Sequence, residues 1–386
     1  MLESISINQF RCFSRLDVNS FSRINLIVGA NNSGKTCLLD AIELLLSGSP
    51  AAIQDISNRR GELVYREMIP NSFQYQGLPD IRLLFNGRDA KAGSIFSFIG
   101  KTSKETIALA AKVVSPNDMG QQFNAPGIQD QDNSALAVSL PATQETNAIQ
   151  FLPNTIPFSI DQPTRYLKFA FRTDHPATFG STMAITKEGG LILGGLPSIS
   201  RPPVKFVPAG SVNLQYTAQQ WSSIAASQDE DKIIEILHMI EPDLERIASV
   251  ATPVPTLFVR LDGLSERVPI GNLGEGVQHL LLLATQLVSA ANGTLIVDEI
   301  DTGLHVTTMT KMWSFLLKMA SAYNVQIFAT THSDDCLRGF TEAIQNEKRD
   351  ALDMVSLHRI SEDHTKSVYY SGEEIIFSTN NNIEVR

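Results

Sequence analysis

A glycine-rich loop near the start of the chain carries residues whose types and spacing suit phosphate binding. The apolar run INLIV (residues 24–28) leads into GANNSGKT (residues 29–36), which matches the pattern G-x-x-x-x-G-K-[ST], and apolar residues at helical spacing follow. Glycines let backbone N–H groups close around phosphate oxygens, and the start of a helix adds positive potential there. The predicted phosphate-binding residues are Gly29, Asn31, Asn32, Ser33, Gly34, Lys35, Thr36 and Cys37.

Two side chains of this loop would contribute more than backbone contacts. Lys35 would reach the β- and γ-phosphates of a nucleoside triphosphate, and the Thr36 hydroxyl would ligate Mg²⁺. A glycine-rich turn before an ordinary helix is the alternative interpretation. For Cys37 the better interpretation is a small helix residue that packs in the interior.

An apolar run that ends in two acids lies in the second half of the chain. Residues 294–297 (TLIV) precede Asp298 and Glu299, which is the form of a Walker B strand. Asp298 would hold Mg²⁺, and Glu299 would lie beside the γ-phosphate and orient or deprotonate the attacking water. A buried strand with solvated acids at its end is the alternative.

A second apolar run, VQIFAT (residues 325–330), ends just before His332. A histidine at the end of such a strand would contact the γ-phosphate. The same stretch also suits the start of a helix, because Ser333 is a good N-cap and the acids at 334 and 335 suit a positive first turn. Both interpretations can hold together.

The segment LGEGVQ (residues 273–278) opens a predicted helix that continues to about residue 291. Gly274 and Gly276 would leave the N–H groups of the first turn free to bind phosphate. We interpret this segment as a second phosphate clamp, presented to a nucleotide on another subunit. A plain loop-to-helix turn is the alternative.

The order of GANNSGKT, LGEGVQ, LIVDEIDTGLH and ATTHS resembles the ABC-type ATPase heads of the OLD, RecF and SMC families, and most nearly the OLD-like AAA-family ATPases. The opening ISINQFRCFSRLDV, the segment SNRRGE (residues 57–62) and the run DTGLH (residues 301–305) add to this resemblance.

The resemblance implies ATP and Mg²⁺ as cofactors, with Lys35, Glu299 and His332 as catalytic residues, and two copies that enclose two ATP molecules. In relatives the early Arg11 lies near the phosphates; a surface arginine is the alternative. The chain departs from the transporter signature LSGGQ, which argues against a transporter subunit, and the strand predicted at residues 81–86 lacks a Q-loop glutamine.

The composition sets limits on cofactors and partners. With 386 residues, 43% of them hydrophobic, and a net charge of −10, the chain can bury a large core but lacks an overall basic character for nucleic acid. The three cysteines have no metal-site spacing and suit reduced cytosolic thiols. No apolar run has the length of a membrane span, so we expect a cytoplasmic protein.

The predicted fold class is α/β, an ABC-type P-loop head with a mixed sheet and flanking helices plus an inserted lobe of antiparallel strands and helices. We expect the ATPase core to be assembled from residues 1–100 and 221–386, with the lobe at 101–220. Residues 115–165 are rich in Gln, Asn, Pro and Ser and are predicted to form a long loop. Residues 166–207 are predicted to be antiparallel strands, and residues 228–250 a helix interrupted near Pro242.

These patterns predict a stand-alone ATPase without a TOPRIM nuclease domain, since the residues after His332 are too few for one. We expect a homodimer or higher oligomer that controls a separate effector, a TOPRIM-type or other nuclease in anti-phage defence, through a docking surface in the lobe. The alternatives are a RecF-like repair ATPase that binds DNA directly and a nucleotide-binding scaffold that does not hydrolyse ATP.

Overall fold

The structure, a computed structural model, describes residues 1–67, 75–118, 123, 163–174, 178–193, 200–210, 212–225, 227–238, 240–250, 254–347, 350–381 and 383. The strands are β1 (Leu2–Phe10), β2 (Phe13–Asn19), β3 (Ile24–Val28), β4 (Leu63–Glu67), β5 (Tyr75–Pro79), β6 (Ile95–Thr102), β7 (Thr106–Val114), β8 (Arg165–Thr173), β9 (Thr178–Ile185), β10 (Leu191–Ile192), β11 (Val204–Val207), β12 (Leu244–Val250), β13 (Thr256–Leu261), β14 (Val268–Pro269), β15 (Thr294–Val297), β16 (Gln326–Thr330), β17 (Val355–Ile360) and β18 (Ser367–Ser371). The α-helices are α1 (Lys35–Ser47), α2 (Ala51–Arg60), α3 (Leu214–Ile224), α4 (Asp229–Leu237), α5 (Glu275–Ser289), α6 (Val306–Ala322), α7 (Asp334–Asn346), α8 (Asp350–Asp353) and α9 (Gly372–Asn380).

A mostly parallel sheet places the predicted motifs side by side. Its strand order is β11-β15-β16-β3-β17-β18, and only the last pair is antiparallel. The P-loop follows β3, the two acids follow β15 and His332 follows β16, as the sequence predicts. Because the carboxyl ends of parallel strands meet at one edge of a sheet, all three motifs lie along that edge.

An antiparallel sheet of order β10-β9-β8-β7-β6-β1-β2 forms the second layer. The antiparallel pairing predicted for residues 166–207 is confirmed for β8, β9 and β10. β11, in contrast, pairs in parallel with β15 in the other sheet. The strands β7 to β10 of the middle region therefore continue the sheet that contains β1 and β2, whereas β11 does not, and the domain boundaries at 100 and 220 stay predictions.

The helix α1 lies between the two sheets. Its buried residues share one core with β1, β6 to β8 and one face of the parallel sheet, represented by Ile27, Ile296 and Phe328. The opposite face of the parallel sheet packs against α3 to α7 and α9. The three central strands β3, β15 and β16 are buried at every position, because both faces of the sheet are covered there. This layered α/β arrangement confirms the predicted fold class.

Two predicted elements are wrong. The helix predicted over residues 228–250 ends with α4, and the residues after Pro242 form β12, which pairs with β13 and β14 in a small antiparallel sheet. The predicted strand at residues 81–86 is instead a 3₁₀ turn, since the Asp80 carboxylate caps the N–H of Arg82. Most of the Gln/Asn/Pro-rich segment lies outside the described residues.

A buried cluster of charges ties α1 to its surroundings. The guanidinium of Arg11, in the β1–β2 turn, donates to both carboxylate oxygens of Glu62 at 2.8 Å and lies 3.2 Å from Asp40 on α1. Arg60 on α2 lies 2.7 Å from the same Asp40. Within the segment SNRRGE, Arg60 therefore neutralises an acid on the P-loop helix, and Glu62 holds Arg11. Arg11 is buried and is not the surface arginine of the alternative interpretation.

Replacing Arg11 with Met should lower the free energy of unfolding by about 3 kcal/mol, because it leaves buried carboxylates short of a partner. Urea denaturation measures this change. The matched control is Arg15→Met, since Arg15 pairs with Asp17 at 73% side-chain exposure and should not shift the midpoint. Equal stability of the two variants would contradict a structural role for the cluster.

Candidate functional site

The backbone of the P-loop is shaped by two glycines in left-handed conformation. Gly29 has φ +147°, and a Cβ there would lie 2.7 Å from Ser33 Oγ and 2.8 Å from the carbonyl oxygen of Ile360. Gly34 has φ +94°, and a Cβ there would collide with Phe13 and Cys12. Both positions therefore require glycine, and the loop between them has the tight curvature of a phosphate cradle.

Lys35 is folded into this cradle. Its ammonium donates to the carbonyl oxygens of Gly29 at 2.7 Å and of Ala30 at 2.9 Å. Burial lowers the pKa of Lys35, while the nearby carboxylates of Asp298 and Glu299 oppose that shift. The ammonium therefore already lies inside the loop, where the oxygens of a phosphate would replace the two carbonyls.

The P-loop and the Walker B acid meet directly. The Thr36 hydroxyl donates to the carboxylate of Asp298, with oxygen–oxygen distances of 2.9 and 3.2 Å. Both groups are hard oxygen donors of the kind that Mg²⁺ prefers, and Mg²⁺ usually takes its other ligands from phosphates and water. Along the described ranges no three His, Cys, Asp or Glu side chains form a metal cluster, so a dedicated protein cage is not seen there. The pair fits a nucleotide-bound Mg²⁺.

Glu299 and His332 face each other at the edge of the site. The Nδ1 of His332 lies 3.8 Å from Oε1 of Glu299, and the side chains are 53% and 45% exposed. Glu299 has φ +50°, a left-handed conformation that is uncommon for this residue type and that often marks functional sites. Both groups are thus open to reactants, next to the predicted metal pair.

Thr330 and His364 contact this site and were missed by sequence reasoning. The Thr330 hydroxyl donates to Asp298 at 2.6 Å and accepts from the N–H of Glu299 at 2.8 Å. Nδ1 of His364, in the β17–β18 turn, lies 3.0 Å from the carbonyl oxygen of Ser33. Thr330 belongs to the quoted motif ATTHS, whereas nothing in the sequence pattern distinguishes His364.

The segment LGEGVQ begins α5, as predicted. Gly274 is the N-cap, and a Cβ there would meet no described atom within 4 Å. Gly276 is tighter, because a Cβ would lie 3.1 Å from the carbonyl oxygen of Gly303, in the turn after the Walker B acids. The start of α5 is therefore exposed at Gly274 and packed against the same chain two residues later.

Two predicted site residues have other contacts. Arg11 is held by Glu62 and Asp40, so its charge is neutralised by carboxylates, and its contact with phosphate stays a prediction. The Cys37 thiol accepts a hydrogen bond from Cys12 and lies 3.8 Å from Arg60, contacts that lower the pKa of Cys37 to about 7. Only the backbone N–H of Cys37 remains a candidate phosphate ligand.

Comparison with known proteins agrees with this geometry. Residues 4–173 match a family model described as "AAA domain", and residues 200–337 match one described as "AAA domain, putative AbiEii toxin, Type IV TA system". The chain is 20% identical over 356 residues to an "ATP/GTP phosphatase" of Helicobacter pylori, a match that spans 90% of this chain and 89% of the relative.

Solved structures with overall similarity include SMC head domains. One, bound to the C-winged helix domain of ScpA, is 14% identical and matches 97% of this chain and 99% of its own length with a TM-score of 0.47. The SMC head domain from Thermotoga maritima is 11% identical and matches 96% of this chain and 98% of its own length, with a TM-score of 0.41.

Among the residues that the structure describes, none of the helices combines the length and the apolar character of a membrane span.

The two matched segments contain the motifs that the sheet brings together. The P-loop lies in the first segment, and the Walker B acids and His332 lie in the second. The chain is an ATPase with a mixed α/β fold, and two of its segments match AAA domain models.

Lys35→Ala should weaken ATP binding by about 100-fold, because the phosphates lose a charge-assisted hydrogen bond inside the loop. Isothermal titration calorimetry measures the change. The matched control is Lys318→Ala on α6, whose side chain is 69% exposed. Parental affinity in the Lys35 variant would show that the nucleotide binds elsewhere.

Proposed function

We propose that two copies of this ATPase enclose two ATP molecules, hydrolyse them with Mg²⁺, and separate afterwards to signal to a partner. The observation that carries the proposal is the hydrogen bond between Thr36 and Asp298, which joins motifs 262 positions apart into one site with hard oxygen donors. A phosphate-binding loop in such contact with a Walker B acid is the arrangement that phosphoryl transfer needs.

Each side chain of the site would have a defined role in hydrolysis. Lys35 would balance the negative charge of the β- and γ-phosphates, and Thr36 and Asp298 would hold Mg²⁺, which neutralises charge on the same oxygens. Glu299 would accept the proton of the attacking water, and His332 would donate a hydrogen bond to the γ-phosphate. The exposure of both side chains suits groups that meet the reactants directly.

The start of α5 supports a composite site. N–H groups at a helix N-terminus attract anions, and the N-cap position Gly274 leaves this end open. In a two-fold dimer, the same patch of each copy would cap the ATP bound to the other copy. Release of the γ-phosphate would remove the anion that holds the two copies together.

Glu299→Gln should slow ATP hydrolysis by about 100-fold or more while ATP stays bound, because an amide keeps the shape but cannot accept the proton. Light scattering should then record a doubled mass with ATP. Phosphate release and mass are compared with those of the control Glu245→Gln. In the parent, the Glu245 carboxylate pairs with Arg260 in the small sheet of β12, β13 and β14. Normal turnover in the Glu299 variant would rule out the general base, and no phosphate release from the parent would favour the scaffold alternative.

Gly274→Asp should abolish ATP-dependent dimerisation without harming the fold. Aspartate is a favourable N-cap and has room here, so the free protomer should be as stable as the parent. Its negative charge would repel the partner's γ-phosphate. The matched control Gly274→Ser is also a good N-cap but neutral, and it should dimerise. Equal dimerisation of both variants would contradict the composite site. Gly276 is less suited to this test because it packs against Gly303.

The partner that we propose is a nuclease effector, TOPRIM-type or other, in anti-phage defence. The resemblance to OLD-like ATPases supports this setting, as does the toxin named in the description of the second matched model. The described site accounts for ATP turnover, and we assign the effect on nucleic acid to a second protein.

Capture from the native host tests this partner. Tagged parent protein, Glu299→Gln and Lys35→Ala would be compared with ATP. Recovery of a nuclease that is enriched by Glu299→Gln and lost with Lys35→Ala supports the proposal. Recovery of DNA alone, released by moderate salt, would favour the RecF-like alternative, because phosphate contacts weaken steeply with salt.

A further inference from the structure

We propose that Thr330 is a positioning residue, which holds the neighbouring acids Asp298 and Glu299 in the two different positions that metal binding and proton acceptance require. The proposal rests on the proposed function, because it assigns a role within the same site. Thr330 lies at the end of β16, two residues before His332.

Thr330 bonds to three consecutive residues of the Walker B turn. Its hydroxyl donates to Oδ1 of Asp298 at 2.6 Å and accepts from the N–H of Glu299 at 2.8 Å. Its carbonyl oxygen accepts from the N–H of Ile300 at 3.0 Å. Thr330 therefore fixes the side chain of Asp298, which would bind the metal. It also fixes the peptide groups before and after Glu299, which would accept the proton.

The bonds of Thr330 to Asp298 and Glu299 require a hydroxyl group, because one is donated and the other is accepted. A threonine hydroxyl has one proton and free lone pairs, so donating to Asp298 leaves it able to accept from Glu299. Thr330 is fully buried. Valine would fill a similar space but leave the Asp298 oxygen and the Glu299 N–H without this partner, which is costly in a buried position.

The left-handed backbone conformation of Glu299 explains why these hydrogen bonds are needed. Its φ of +50° places it in the left-handed region, where a glutamate is strained unless its surroundings hold it. The bonds from Thr330 to the N–H groups on both sides of this residue supply that support. Without them, the turn would relax and move the Glu299 carboxylate away from the attacking water.

The test compares Thr330→Val with Thr330→Ser and with the control Thr341→Val. Thr341 on α7 is also buried, and its hydroxyl donates to the carbonyl oxygen of Leu337 at 3.0 Å, within its own helix rather than to a residue of the site. Thr330→Val should lose about 10- to 100-fold in turnover at fixed Mg²⁺, as is typical when a support of a metal ligand is removed. Thr330→Ser and Thr341→Val should stay within about threefold of the parent.

A binding measurement separates positioning from a merely structural role. Melting curves with a non-hydrolysable ATP analogue, titrated with Mg²⁺, give the concentration for half of the stabilisation. This concentration should rise about tenfold in Thr330→Val and stay at the parental value in the other two variants. If Thr330→Val does not fold, Thr330→Ala takes its place, because alanine only removes side-chain atoms and places none in new positions.

Parental turnover and an unchanged Mg²⁺ requirement in Thr330→Val would overturn the proposal. An equal loss in Thr330→Ser would overturn it too, because the hydroxyl is then not the acting group. Failure of the parent to hydrolyse ATP would contradict the proposed function instead, and the Mg²⁺ titration would still decide whether Thr330 supports the metal pair.

Discussion

The hydrogen bond between Thr36 and Asp298 is the contact on which the site depends. It forms because β3 and β15 run in the same direction on either side of β16, so that their carboxyl ends bring the P-loop and the Walker B acids to one edge of the sheet. Its central strands β3, β15 and β16 are buried at every position, and their parallel hydrogen bonds set the register. Motifs from distant parts of the chain thus meet at the edge of the parallel sheet.

The support behind this edge is electrostatic as well as apolar. The helix α1 carries Asp40 and Glu43 on a buried face, and burial raises the pKa of both carboxyls although the arginines beside them oppose the shift. Arg11 and Arg60 approach Asp40 from the β1–β2 turn and from α2. These elements hold the helix whose first residues are Lys35 and Thr36, so the charge cluster indirectly positions the phosphate cradle.

Much of this site could be predicted from the sequence because local patterns carry it. A strand, a glycine loop and an amphipathic helix follow one another along the chain around Lys35, and the acids and His332 each follow an apolar strand. The failures concern elements whose conformation depends on particular hydrogen-bond partners that the hydrophobic pattern does not show. The residues after Pro242 form β12 because β13 completes their hydrogen bonds, and the turn after Asp80 forms because that side chain caps it.

The role of Thr330 was hidden for a related reason. A threonine at the end of an apolar strand is ordinary in a sequence, and only the fold shows that its hydroxyl meets Asp298 and the backbone of Glu299. Arg11 is similar, because its type suits a phosphate ligand and its actual partners, Glu62 and Asp40, lie far along the chain. In both cases the partner decides the function, and the partner is brought near by tertiary packing.

We propose that each ATP site is shared between two copies, and a mixture of two inactive variants is the sharpest test of this sharing. A dimer of Lys35→Ala with Gly274→Asp would contain one site with both lesions and one intact site. If the sites are shared, the mixture should recover up to about one quarter of the parental turnover. About half of randomly formed dimers are mixed, and each mixed dimer has one intact site of two. Complete inactivity of the mixture, with heterodimers shown to form, would contradict the shared site.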